Sequence, residues 1–125
     1  MTRQHADDIL KPLKPFQRRT VDHAFRRLFL DADSTSRFLV ADEVGLGKTL
    51  VARGIIARTI DHLWDDVGRI DIIYICSNAG IARANLPKLQ IGGERSFALA
   101  TRLTMLATEL APRDNGPGFM DNKLN

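Results

Sequence analysis

The stretch "ADEVGLGKTL", residues 41–50, constrains this chain more than any other. It follows the apolar run "RFLV" and precedes "VARGIIARTI", whose apolar positions recur at helical spacing. Glycine reaches backbone conformations closed to other residues, so Gly45 and Gly47 let the chain turn tightly there. The amides that open a helix lack intrahelical acceptors and sit at the positive end of its dipole. A loop cleared of side chains at that point can wrap an anion in backbone N–H groups. Lys48 would reach the outer phosphates of a bound nucleotide, and Thr49 would offer its hydroxyl to a bridging magnesium ion. The spacing thus predicts a phosphate cradle of Gly45, Leu46, Gly47, Lys48 and Thr49, with ATP and Mg2+ as ligands. A plain strand-to-helix turn would explain the glycines but not the Lys–Thr pair. Asp42 stands where the general phosphate-loop pattern has its first glycine.

The rest of the chain is read around that loop. "RFLVA" (37–41) is short, apolar and bounded by polar residues, as a buried strand should be. "RIDIIYICS" (69–77) is apolar on both alternating faces, the pattern of a parallel strand covered by helices on either side. Helices are expected from Gln17 onward (Val21, Phe25, Leu28 and Phe29 forming the apolar stripe), over 48–64, and over 78–91. The last has Asn78 as its cap, and Pro87 to bend it or limit its length. Residues 1–12 read as a polar lead-in, 13–110 as the folded domain and 111–125 as a loose tail. Residues 96–110 read as a strand followed by a short helix, or otherwise. Strand, loop, helix, strand, helix is a βαβ unit, so the expected class is α/β.

Composition bounds the setting. In 125 residues, 44% hydrophobic and 26% charged, there is room for one core and no sign of global disorder. No apolar run approaches the length of a membrane span, no secretory leader is visible, and Cys76 has no second cysteine to pair with. These features point to the cytoplasm. The net charge of +3 is mild. Lys11, Lys14, Arg18, Arg19, Arg26 and Arg27 crowd the first quarter of the chain, forming either a solvated helix face or a phosphate-contacting surface. His5, His23 and His62 have no metal-ligand spacing, and Cys76 reads as a small core residue. Trp64 and Tyr74 are too few for a base-stacking platform.

"ADEVGLGKTLVARGII" resembles motif I of superfamily 2 helicases, above all the SWI/SNF-like DNA translocases, where an aspartate commonly holds the place of Asp42. "LKPFQ" resembles the Q motif of that family, which gives Gln17 the role of hydrogen-bonding adenine. "IIYICSNAGIARANLPKL" is similar to the strand and motif Ia segment, which makes Ser77, Asn78 and Arg83 candidates for nucleic-acid contact; a helix cap and a solvated charge are the alternatives for the last two. The resemblance spans about residues 13 to 110. It implies a partial RecA-like P-loop lobe from an ATP-hydrolysing translocase that works on nucleic acid, DNA more than RNA.

The DExx motif of that family is not visible, nor is a second lobe with its arginine finger, and phosphoryl transfer needs these parts together. The expected function is therefore ATP binding without turnover by this chain alone, as in a helicase cut short. Three rivals stay open. One is a non-catalytic nucleotide-binding or assembly module completed by a chain that supplies the remaining motifs. The others are a small P-loop kinase and a truncated product with no stable function.

Overall fold

In a computed structural model, residues 3–43, 45–91 and 123–124 are described. They form four α-helices: α1 (Arg3–Leu10), α2 (Pro15–Phe25), α3 (Lys48–Leu63) and α4 (Ala79–Leu89). A π-helical turn, Arg26–Leu30, prolongs α2. Helix α3 packs against each of the other three and is the axis of the bundle.

Its sequence explains that position. Val51, Gly54, Ala57 and Ile60 are buried at intervals of three residues, a stripe of mostly small side chains that lets neighbouring helices come close. At Gly54 an added Cβ would lie 2.9 Å from Val21 Cγ2 and 3.3 Å from both Leu10 Cδ2 and Leu13 Cδ1, so glycine sets the α2–α3 approach. Around Val51, near the start of the stripe, Leu13 and Val21 cluster with Leu10, Val40 and Ile55. Around Ala57 and Ile60, further along it, Ala6, Ile70 and Ile91 complete the larger cluster, flanked by Trp64 and Leu124. Val21, Val51 and Ile60 are fully buried, and burying each such side chain contributes about 2 kcal/mol.

The helices follow the apolar periodicity. α2 begins at Pro15, whose fixed φ suits a first helical turn, and buries Val21 and Phe25 as the spacing predicts. Asn78 caps α4, its side chain accepting from Ile81 N at 3.1 Å. Pro87 is accommodated inside α4 near its end. Within the segment read as a polar lead-in, Arg3–Leu10 form α1. Ala6, Ile9 and Leu10 lie at i, i+3 and i+4, and pack against α3 and its surroundings.

The α/β expectation is overturned. Among the described residues there is no strand, and the two runs read as strands, 37–41 and 69–77, form no ladder. A single parallel bridge joins Ile70 to Leu124, through Ile70 N donating to Lys123 O at 2.7 Å. A RecA-like lobe is built on a parallel sheet with helices on both faces, and these residues form a helical bundle instead. The physical reason is simple. An isoleucine-rich run reports a tendency to be buried, but a strand exists only where a neighbouring strand takes its hydrogen bonds. Here Ile70 is buried in the core and Val40 half-buried against it, while the rest of each run lies largely at the surface, Leu39 83% and Ile75 72% exposed. The reading of 96–110 and most of the 111–125 tail fall outside the described residues.

Candidate functional site

The loop ahead of α3 has an unusual backbone. Gly45 and Gly47 both have positive φ, 86° and 79°, the only such residues described. Gly47 is the N-cap of α3, and its carbonyl accepts from Leu50 N and Val51 N at 3.0 and 3.1 Å. The amides of Lys48 and Thr49 find no acceptor among the described residues, as expected of a helix's first turn. Lys48 is exposed and Thr49 half-buried. Arg53 lies one turn beyond Thr49 on the same face, and helical side chains lean toward the N-terminus. Its Nε is buried, with no hydrogen-bond partner among the described residues. Asp42, half-buried, and Glu43, exposed, precede the loop and oppose an anion there.

Gln17 holds this loop in place. It is buried, 5% exposed, the one buried polar side chain described. Its Nε2 donates to Leu46 O at 2.9 Å, and its Oε1 accepts from Lys14 N at 2.9 Å. One amide thus ties the start of α2 to the loop before α3. A Cβ at Gly47 would sit 2.5 Å from Gln17 Nε2, so glycine is needed there for space as well as for its left-handed φ. Sequence reasoning assigned Gln17 to an adenine edge. The signal for its actual position was the Lys14-x-x-Gln17 spacing across Pro15, in which a glutamine three residues into a helix reaches back to the N-cap amide.

The other expected contacts are dispersed. Asn78 is engaged in capping α4, while Ser77 and Arg83 are exposed beside it. No hydrogen bond or ion pair among the described residues joins these three to the loop. The basic crowding of the first quarter is largely internal. Arg18 donates from Nε to Leu10 O and from Nη2 to Lys11 O, both at 3.0 Å, closing the end of α1. Arg27 bridges Asp33 and Asp31, whose hydrogen bonds, Asp33 first, raise its pKa above the ordinary arginine value. Arg26 reaches Asp31, and Lys11 reaches Asp8. Arg58 pairs with Asp22 and lies over the Phe25 ring. His62 packs against Phe25 and Phe29, and His23 against Phe38. No group of three metal-ligating side chains occurs among the described residues.

These observations correct the functional expectations. ATP and Mg2+ held by a P-loop require a strand feeding the loop and a sheet carrying the remaining catalytic groups, and the described residues supply neither. With them go the Walker A assignment, the metal role of Thr49 and the adenine role of Gln17. The resemblance to superfamily 2 helicases and SWI/SNF-like translocases is overturned on the same ground, since their ATPase core is a sheet. The nucleic-acid partner, the completing chain and the parent ATP hydrolase rested on that resemblance and fall with it, as does the nucleotide-binding alternative.

A second feature is a groove of about 300 Å3 lined by Ile55, Ile56, Ile60, Leu63, Ile70 and Ile72, with the Arg69–Asp71 ion pair at its edge. No described helix is long and apolar enough to cross a membrane. Compared with protein-family models, curated proteins and solved structures, the chain matches none.

Proposed function

We propose that the loop Gly45–Thr49 is a non-catalytic receptor for a small oxyanion of the phosphate or sulfate class, carried on a helical bundle. The observation behind this reading is the buried Gln17, which fixes Leu46 and the left-handed Gly47 ahead of the Lys48 and Thr49 amides, for which no acceptor occurs among the described residues. Unpaired amides at the positive end of a helix dipole favour an anion. Lys48 adds a point charge, Thr49 a hydroxyl donor, and Arg53 a guanidinium one turn away. Gln17 is a positioning residue here and does not touch the ligand. Asp42 and Glu43 reduce the attraction, so binding is modest. The lone Cys76 fits residence in the cytoplasm, where thiols stay reduced.

Isothermal titration of the folded protein with inorganic phosphate at low ionic strength tests the reading. The expected Kd is about 1 mM, weakening with added salt. Lys48→Ala weakens it about tenfold, the loss of one charge-assisted contact. Absence of binding by folded protein, or an unchanged Kd in Lys48→Ala, contradicts it.

A further inference from the structure

The turn that follows α3 receives a distant part of the chain. Trp64 is the C-cap of α3, and Leu63 O accepts from Asp66 N and Val67 N, both at 3.1 Å, which turns the backbone before Ile70. Lys123 and Leu124 are seated there. Ile70 N donates to Lys123 O at 2.7 Å, in a parallel bridge, and Lys123 Nζ lies 4.7 Å from the centre of the Trp64 ring. Leu124, like Trp64 and Val67, packs against the larger cluster. One residue, Lys123, thus meets both the Ile70 amide and the Trp64 ring, so the two belong to one surface.

Each of these contacts is a means of recognising a peptide. A backbone amide that takes an incoming carbonyl begins strand addition. A tryptophan face attracts a cation through the ring quadrupole. The half-buried Leu124 supplies an apolar anchor. Charge favours the same ligand. α3 ends at Trp64 with the negative pole of its dipole, and the next two residues, Asp65 and Asp66, are exposed acids. Arg69 pairs with Asp71 at 2.8 Å and offsets little of this.

From these contacts we infer that the surface of Trp64 and Ile70 is a receptor for an extended peptide, lysine followed by leucine, presented by a partner protein. Lys123 and Leu124 fill it in cis. Both are only half-buried, so the contact is shallow and open to exchange. The receptor lies at the opposite end of α3 from Gly47, and the inference is independent of anion binding there.

Trp64 is the sole tryptophan, so its emission reports on the receptor directly. Lys123→Ala with Leu124→Asp uncovers the ring and shifts the emission to longer wavelength, with the helical circular dichroism unchanged. A free peptide with the sequence of residues 121–125, DNKLN, then restores the original emission saturably. The expected Kd is on the order of 100 µM and weakens with added salt. The unaltered chain binds that peptide at least tenfold more weakly, because its own residues compete at an effective concentration of about 1 mM. Peptides with alanine for the lysine, or aspartate for the leucine, restore nothing at the same concentrations. If the double change costs the helical signal, Lys123→Ala alone gives the shift, since it removes a half-buried cation and no core atom. Unchanged emission in the folded variant, no recovery with DNKLN, or equal recovery with the alanine peptide overturns the proposal. Equal affinity of the variant and the unaltered chain overturns it as well, by excluding occupancy in cis.

Discussion

Replacing Ile60 with alanine lowers the free energy of unfolding by about 3 kcal/mol, measured by urea denaturation. Ile60 is fully buried in α3 and packs with Ala6, Ala57, Ile70 and Ile91, so the larger cluster brings together α1, α3 and segments on either side of α4. Removing its outer carbons forfeits transfer energy, and leaves a cavity beside small neighbours that cannot collapse into it. The groove lined partly by Ile60 becomes larger. For a domain of this size the loss is a large share of its total stability. A change below about 1 kcal/mol would mean that α3 is not the axis of the core.

Gly47→Ala costs about 2–3 kcal/mol and abolishes oxyanion binding, read by the same denaturation and by phosphate titration. Two effects add. A non-glycine residue at φ 79° pays about 1–2 kcal/mol for the left-handed conformation. The new Cβ also meets Gln17 Nε2, whose bond to Leu46 O must stretch or break inside a buried setting. Gly45→Ala provides the comparison. Its φ is 86°, but nothing lies within 4 Å of its added Cβ, so only the conformational part is lost. Equal costs at the two positions would show that Gln17 does not buttress the loop.

These two sites also show what was legible in the chain. The stripe through Val51 and Ile55 predicts α3, and Val21 with Phe25 predicts α2, because helical periodicity is local and needs no partner to be read. α1 was missed since its apolar side chains, Ala6, Ile9 and Leu10, are few among polar ones; only their i, i+3, i+4 spacing betrays it. The runs around Leu39 and Ile73 were misread because strand formation depends on a neighbour that no local pattern contains. At the loop, the glycines marked an unusual backbone correctly, as their left-handed φ values show. The nature of the ligand was inferred from a motif whose meaning depends on a sheet, and that inference failed with the sheet. Gln17 illustrates the same point at one residue. Its type was suited to reading a base, but its position at the start of α2 engages both ends of its amide with backbone.

A glutamine-braced loop that presents the first amides of α3 to an oxyanion has a local spectroscopic signature. Backbone 15N–1H spectra recorded during a phosphate titration test it most directly. Saturable shifts are expected at Gly47, Lys48 and Thr49, with the Gln17 side-chain amide following as the loop tightens, and little change at α4. Shifts spread evenly over exposed lysines and arginines, or none at Lys48 and Thr49 while the protein remains folded, would contradict it.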